Sequence, residues 1–235
     1  HQHIDDVHLL KRLAVFTEEN KVILNVKLRQ HIRLLEGSMT PLLVIPECRK
    51  FLDFRVRKKY FEMRIDRMVH NLMERSSRDS YDIELDLDVD RDHVVESSME
   101  GLRYATRVDM LTRELNISFN GEEGIDAGGL TREWYTLLSR ELFQSAYALF
   151  TKTKDGVTFQ PDPRSSVNEQ HLEYFRFVGK LMGKALLEKQ LMDVHFTRSF
   201  YKHVLGQSVG FNDLESVDPE YRKNLSTLLH HSLED

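Results

Sequence analysis

The chain of 235 residues is long enough to bury a core, and 40% of its residues are hydrophobic while 30% are charged. This balance argues against a disordered chain, and a net charge of −5 with both signs interspersed argues against a nucleic-acid-binding protein. One cysteine, Cys48, excludes an intrachain disulfide framework, and no apolar run has the length of a membrane span. We therefore expect a soluble intracellular protein with no nucleic-acid or membrane partner.

The first part of the chain predicts a helical extension. Apolar residues recur at three- and four-residue spacings between 8 and 35, which indicates two helices with a break near residues 17–20. Pro41 and Pro46 bracket a short apolar run that we interpret as an extended connector. Helical spacing returns from Lys50 to Met73. The predicted organisation is an amino-terminal extension over residues 1–50 and a main domain over 51–235.

Two strands around a helix are predicted next. Tyr81, Ile83, Leu85, Leu87 and Val89 alternate with acidic residues over 81–90, so that one face of the strand is apolar and the other acidic. The acidic row lacks the central glycine and distal glutamate of a calcium-binding loop, and we interpret it as a solvated face. A helix through Val94 to Leu102 leads to a second alternating run over 114–119.

The remaining elements are mostly helical. A hairpin is predicted over 149–159, and helices are predicted around 174–186, 196–205 and 219–231. The chain as a whole is therefore predicted to be a mainly helical α+β fold with a small antiparallel sheet or hairpins.

The most specialised segment is FNGEEGIDAGGLTREWY at 119–135, a glycine-rich turn between a strand and a helix. Gly121, Gly124, Gly128 and Gly129 permit positive φ or close backbone approach, and Asp126 is a candidate cap for the helix. The spacing matches neither common phosphate-binding pattern, and the three acidic residues of the turn would repel a phosphate.

The same segment resembles the signature of the HECT ubiquitin ligases, F-x-G-E-x-G-x-D-x-G-G-x-x-R-E-W/F. The resemblance extends through RDHVVESS at 91–98, HLEYFRFVGKLMGKAL at 171–186 and FTRSFYKHVLG at 196–206, and thus from about Phe51 to the end. FTEENKVILNVKLRQ at 16–30 and FLDFRVRKKYF at 51–61 are most similar to the giant multi-domain HECT ligases. The positions that carry the signature are Gly121, Glu122, Gly124, Asp126, Gly128, Gly129, Arg132, Glu133 and Trp134.

Few residues are candidates for chemistry. Cys48 follows Glu47, which raises rather than lowers a thiol pKa, although Arg49 and Lys50 act in the opposite sense, and we interpret Cys48 as buried or incidental. The histidines lack a ligand spacing such as HExxH, so no metal and no cofactor is proposed. Arg132 and Glu133 are expected to form part of an internal ion-pair network.

The resemblance implies a function for the intact protein. HECT ligases accept ubiquitin from an E2 enzyme as a cysteine thioester and pass it to a substrate lysine, in the cytoplasm or the nucleus. Their catalytic cysteine lies near the far carboxyl end in a separate lobe. The present chain resembles the large subdomain of the amino-terminal lobe, so we expect an inactive scaffold. A non-catalytic interaction module with a HECT-like scaffold is the alternative.

Two interaction surfaces are candidates. Some HECT ligases bind a second ubiquitin through an aromatic residue of an F-N-P-x-Y-x-L-F stretch, and the corresponding stretch here is FQSAYALF at 143–150. Tyr147 falls on the aromatic position, whereas Gln144 and Ser145 replace Asn-Pro, so Tyr147 is either a ubiquitin contact or a residue half-packed beside a turn. The helices at 8–35 either pack on the lobe or contribute to self-association.

Overall fold

The computed structural model describes residues 2–75, 84–122 and 128–231, and the chain divides into two compact units, 1–78 and 79–235. The first unit is helical throughout its described part. Its elements are α1 (Gln2–Glu19), α2 (Lys21–Gln30), a 3₁₀ turn (Ile32–Glu36), α3 (Pro41–Val44), α4 (Pro46–Arg49) and α5 (Phe54–Arg75). The predicted break between two helices is confirmed at Asn20. The domain boundary predicted at residue 51 on grounds of family resemblance stays a prediction.

The predicted extended connector between Pro41 and Pro46 is wrong. Each proline instead begins a short helix, because its fixed φ suits the first helical turn and its missing N–H is not needed there. Ile45 alone is extended, with φ −80° and ψ 117°. It directly precedes Pro46, and a following proline disfavours the helical region.

A small core and one buried amide hold the first unit together. The core consists of Leu28, Ile32, Leu35, Leu42, Cys48, Leu52 and Val56. The Asn25 side chain donates to the carbonyl of Phe51 at 2.9 Å and accepts from the N–H of Asp53 at 2.8 Å. Asp53 in turn accepts from the N–H of Val56, which satisfies one free donor at the start of α5.

The second unit combines two small sheets with helices, which confirms the predicted class of a mainly helical α+β fold. Its strands are β1 (Glu84–Val89), β2 (Glu114–Phe119), β3 (Phe150–Lys152), β4 (Thr158–Pro161) and β5 (His195–Phe196). Its helices are α6 (Val94–Gly101), α7 (Arg107–Thr112), α8 (Gly129–Leu142), α9 (His171–Leu187), α10 (Arg198–Val204) and α11 (Pro219–His231). Short 3₁₀ turns lie at Ser145–Tyr147, Ser165–Val167 and Phe211–Ser216.

The first sheet pairs β1 with β2 in parallel rather than antiparallel. The chain passes through α6 and α7 after β1 and returns to the end at which β1 begins, so that β2 runs in the same direction. Tyr81 and Ile83 of the predicted strand lie outside the described residues. The predicted alternation holds over the rest of β1, where Leu87 and Val89 are buried. The acidic face is bonded to polar residues of β2: Asp86 accepts from Asn116 at 2.8 Å, and Asp88 accepts from Ser118.

The second sheet has the order β3-β4-β5. Strands β3 and β4 form the predicted antiparallel hairpin, and β5 adds in parallel to β4. The hairpin turn is organised by Asp155, whose carboxylate accepts from the N–H groups of Val157 and Thr158 at 2.8 Å each. The hydrogen bond from the Thr158 hydroxyl, followed by these two backbone bonds, lowers the pKa of Asp155.

Helix α8 lies at the centre of the second unit. Trp134, Tyr135, Leu138 and Leu142 are all fully buried along one side of this helix. Trp134 Nε1 donates to the hydroxyl of Ser98 on α6 at 2.8 Å, and Ser98 is fully buried as well. Helix α6 also approaches β1 closely, since a Cβ added to Gly101 would lie 2.2 Å from the Leu87 side chain.

Replacing Ser98 by Ala leaves the indole N–H of Trp134 buried without an acceptor. We expect the free energy of unfolding to fall by about 1–3 kcal/mol in urea titrations. Combining Ser98→Ala with Trp134→Phe is expected to cost less than the sum of the single changes, because both remove the same bond. The control is Ser139→Ala, whose buried hydroxyl donates to the carbonyl of Tyr135 within α8. An equal loss in Ser139→Ala would contradict the assignment.

Candidate functional site

The turn between α8 and β3 carries Gln144 and Tyr147. Ser145–Tyr147 forms a 3₁₀ turn, and Ala148 then adopts the left-handed region with φ 54°. A left-handed conformation costs a non-glycine residue about 1–2 kcal/mol, so the surrounding contacts must hold it. One such contact is Asn168, whose side chain donates to the Tyr147 carbonyl at 2.9 Å. The backbone that presents Tyr147 is thereby fixed.

The side chain of Tyr147 is half-buried and bonded within the protein. Its hydroxyl donates to Glu96 on α6 at 2.9 Å, and its ring meets that of Tyr174 edge to face, with the centroids 5.4 Å apart. Burial raises the pKa of Tyr147, and the hydrogen bond to Glu96 raises it further. Since the hydroxyl already has a partner, the exposed part of the ring is what Tyr147 offers to a ligand.

Gln144 is exposed and lines an open groove of about 880 Å³. The groove also touches Ser145 and Ala148 of the same turn. Its apolar floor consists of Phe143, Phe150 and Phe159. The Phe143 ring lies 4.7 Å from that of Phe150 and 5.3 Å from that of Phe159. The structure thus places Gln144 in a groove, whereas Tyr147 is not among the residues that line it.

The described part of the signature is a turn with two left-handed glycines. Gly121 has φ 80°, and Gly128, which directly precedes α8, has φ 85°. Such values favour glycine, so these two positions account for part of the glycine pattern. Gly124 and Asp126, including its predicted capping role, lie outside the described residues. Gly129 is the first residue of α8, which carries Trp134 into the core.

Arg91 joins the two ends of the signature, and the sequence reasoning gave it no role. Its guanidinium donates to both carboxylate oxygens of Glu122, with 3.0 Å for the Nη2–Oε2 bond, and to Glu133 at 2.7 Å. It lies 3.9 Å from the centroid of the Phe119 ring, within the range of a cation–π contact. The hydrogen bonds to Glu122 and then to Glu133 raise the pKa of Arg91, and Arg91 lowers the pKa of Glu122.

Arg132 and Glu133 were expected to form part of an internal ion-pair network, but both side chains lie at the surface. Glu133 contacts Arg91 at the surface, where 45% of its side chain is exposed. Arg132 is exposed, and within the part of the chain that the structure describes it forms no ion pair. The sequence singles out Arg91 only because RDH at 91–93 belongs to the family resemblance. No local spacing connects residue 91 to residues 122 and 133, so its contacts with Glu122 and Glu133 were not predictable from the sequence pattern.

A buried charged cluster joins α9 to α8 and β2. Lys184 is 3% exposed, contacts Glu188 at 3.1 Å and donates to the Arg113 carbonyl. Glu188 accepts from the N–H of Leu115 at 2.9 Å and from the Tyr135 hydroxyl at 3.3 Å. Burial raises the pKa of Tyr135, and the charge of Glu188 adds to this effect. Glu188 and Leu115 of this cluster also line a pocket of about 290 Å³, which Gln190 borders as well.

The described residues contain no assembled reaction centre. Cys48 lies in the core of the first unit and is fully buried. Among the side chains that the structure describes, histidine, cysteine and acidic residues nowhere come together in threes as a metal site would require. Over residues 2–75, 84–122 and 128–231 no helix has the length and apolar content needed to span a membrane. What the described residues present is a packed set of helices and strands with exposed surfaces between them.

Comparison with known proteins assigns the family of the chain. Residues 136–235 match a family model described as HECT-domain (ubiquitin-transferase). The chain is 45% identical over 221 residues to the E3 ubiquitin-protein ligase UPL1 of Arabidopsis thaliana, covering 94% of this chain and 6% of that protein. It is 40% identical to ptr1 of Schizosaccharomyces pombe and 41% identical to HUWE1 of Mus musculus, both named E3 ubiquitin-protein ligases. These alignments cover 94% and 93% of this chain and 6% and 5% of the relatives.

The chain belongs to the HECT ubiquitin-ligase family. It spans about one twentieth of the length of the curated relatives it matches. HECT ligases in general work with ubiquitin, E2 enzymes and substrates. The predicted family is therefore confirmed, whereas the activity of the whole protein and the roles of Tyr147 and Gln144 stay predictions.

Replacing Arg91 by Gln removes the cation that bridges Glu122 and Glu133 and leaves the two carboxylates facing each other. We expect a lower melting temperature at pH 7, with a smaller loss in Arg91→Lys, because an ammonium lacks the planar fork of donors. The control is Arg103→Gln, which removes an exposed pair with Glu100 on α6.

The same bridge predicts a pH dependence. The folded-state pKa of Glu122 is lowered, so the contribution of Glu122 to stability is present above the unfolded pKa of about 4.3 and is lost as the pH falls. The difference between wild type and Arg91→Gln should accordingly shrink towards pH 3; a difference that grows would contradict the bridge.

Proposed function

We propose that this chain is the scaffold part of a HECT-type E3 ubiquitin ligase and is itself inactive. In this proposal the intact enzyme takes ubiquitin from an E2 as a cysteine thioester and transfers it to a substrate lysine, in two covalent steps. The scaffold holds mobile parts in fixed positions and supplies no reacting group. Its proposed place of action is the cytoplasm or the nucleus.

The observation that carries the proposal is the position of the one cysteine. Cys48 is fully buried in a helical core among Leu28, Leu35 and Leu52, where a thiol cannot reach the terminal carboxyl group of ubiquitin. In this proposal the thioester-forming thiol is supplied by another region of the intact protein.

The test compares the intact protein with the 235-residue chain. Each is incubated with E1, E2, ATP and fluorescent ubiquitin, and adducts sensitive to reducing agent are followed on gels. We expect an adduct on the intact protein and none on the chain. An adduct on the chain that Cys48→Ser abolishes would overturn the scaffold assignment. Absence of an adduct on the intact protein would favour the alternative, a non-catalytic module with a HECT-like scaffold.

We also propose that the turn at Gln144 and Tyr147 binds a second ubiquitin non-covalently. Support comes from the fixed backbone at Ala148, the exposed Gln144 and the half-exposed ring of Tyr147, whose hydroxyl is engaged by Glu96. A rigid aromatic side chain loses little conformational entropy when a partner covers it. The ring, rather than the hydroxyl, is expected to make the contact.

Titration of labelled ubiquitin onto Tyr147 variants tests this surface. Tyr147→Ala is expected to weaken binding by about tenfold or more, whereas Tyr147→Phe, which keeps the ring and loses the bond to Glu96, should change it by less than about threefold. Gln144→Ala is expected to have an intermediate effect. Tyr104→Ala, at an exposed tyrosine on the α6–α7 connection, is the matched control. Undetectable binding to the wild-type chain, or an equal loss in Tyr147→Phe, would remove the proposal.

A second interaction is proposed for helices α1 and α2. Their exposed apolar side chains include Leu9, Val15, Phe16, Val22 and Ile23, and Val22 is 69% exposed. Exposed apolar side chains of this number on two consecutive helices support an association surface, because large exposed apolar patches mark interaction sites. We propose self-association of the protein through residues 8–35, with packing inside one chain as the alternative.

Substituting Val22 and Ile23 by Glu tests self-association without removing Leu28 and Leu35, which belong to the core of the first unit. We expect a larger elution volume and a smaller mass by light scattering than for the wild-type chain, at an unchanged melting temperature. Lys11→Glu on α1 is the control for added charge. A lower melting temperature at unchanged mass would instead support packing inside one chain.

A further inference from the structure

Strand β3 is an open edge of the second sheet. The sheet has the order β3-β4-β5, so β3 is bonded on one side only. Thr153 N–H donates to the Thr158 carbonyl at 2.8 Å, and Asp162 N–H donates to the Leu149 carbonyl at 2.9 Å. Directly bonded and non-bonded pairs alternate along an antiparallel ladder. The register therefore turns the N–H and C=O groups of Phe150 and Lys152 away from β4.

The residue opposite Phe150 fits this assignment. It is Pro161, which has no N–H to donate and is tolerated at a non-bonded position. Within the ranges that the structure describes, neither Phe150 N–H nor Lys152 N–H has an acceptor. Two donors and two acceptors thus face outward in a row.

The groove that Gln144 lines runs along this edge. It touches Phe150, Thr151 and Lys152, three consecutive residues of β3. Consecutive side chains of a strand point to opposite faces of the sheet. By the register, Phe150 and Lys152 share one face of the sheet with Phe159, whereas Thr151 belongs to the other face. The groove therefore borders β3 on the face of Phe150, Lys152 and Phe159, and because Thr151 lines it too, we place it at the open edge of the strand.

The lining of the groove favours an acidic ligand. Its charged side chains are Arg140, Lys152, Arg164, Asp162 and Asp193. Arg164 is paired with Asp162 at 3.3 Å, which leaves two cations against the exposed Asp193. The Lys152 ammonium lies 5.4 Å from the centroid of the Phe159 ring, so a cation and an apolar surface adjoin each other.

We propose that this groove binds an extended acidic peptide segment of a partner protein, which adds to β3 as a further strand. The peptide backbone pairs with the outward groups of Phe150 and Lys152, as in other cases of strand addition. An acidic side chain of the peptide contacts Arg140 and Lys152, and an apolar side chain covers Phe143 and Phe159. The groove shares Gln144 with the proposed ubiquitin surface, but the pairing with β3 and the contacts with Arg140 and Lys152 do not rest on ubiquitin binding, and Tyr147 does not line the groove.

The first test needs no protein variant. A fluorescent peptide of about seven residues, alternating valine and glutamate, is titrated into the 235-residue chain up to about 1 mM. We expect binding at least about tenfold tighter than that of the valine–lysine analogue. Methylating the backbone nitrogens that face β3 should abolish binding, because they could no longer donate. No binding at the highest concentration, or equal binding of the methylated peptide, would overturn strand addition.

The second test uses a matched pair of variants at Lys152. Lys152→Ala removes the charge and keeps the outward N–H, whereas Lys152→Pro removes both without breaking a bond to β4. We expect Lys152→Ala to weaken binding of the valine–glutamate peptide by about fivefold and Lys152→Pro by at least about tenfold more. In the wild-type chain, peptide binding should also slow amide hydrogen exchange at Phe150 and Lys152. Equal effects of the two variants, or unchanged exchange at both amides, would overturn the proposal.

Discussion

The second unit depends on the burial of one face of α8. Trp134, Tyr135, Leu138 and Leu142 are fully buried on this helix, and they contact elements that lie far apart in the sequence. Such aromatic and aliphatic burial supplies the non-directional part of the stability. The hydrogen bond from Trp134 to Ser98 is directional and helps to fix the position of α6, because α6 must place the Ser98 hydroxyl within reach of the buried indole N–H.

Much of the fold follows from short-range patterns in the sequence. The alternation in β1 and the helical spacing around Trp134 each reflect one buried face, and both are found in the structure. The extended connector predicted between Pro41 and Pro46 is wrong because a proline is compatible with two patterns. It favours an extended residue before it, and it also favours a helix that begins at it. Both occur here, but over one residue and one helical turn respectively. The parallel direction of β2 depends on how α6 and α7 pack, which no local pattern encodes.

The site is less predictable because its contacts cross long stretches of the chain. The alignment of Tyr147 with an aromatic position gave its place in the sequence, but not that its hydroxyl reaches Glu96, 51 residues away. Arg91 and Lys184 show the same limit. A charged residue in a polar motif or on an apolar helix face has many candidate partners, and only the tertiary fold selects Glu133 or Glu188.

The floor of the groove bears on what the scaffold can bind. Phe143 contacts Phe150, Phe159 and Phe196, and Phe196 stacks on Phe200 with the ring centroids 4.3 Å apart. These rings come from the residue that follows α8, from all three strands of the second sheet and from α10. Close-packed rings cannot shift one at a time without opening voids, so the floor and the edge of β3 are held together. A ligand that adds to β3 therefore does not have to order the strand it binds, and this removes a cost that a flexible edge would impose.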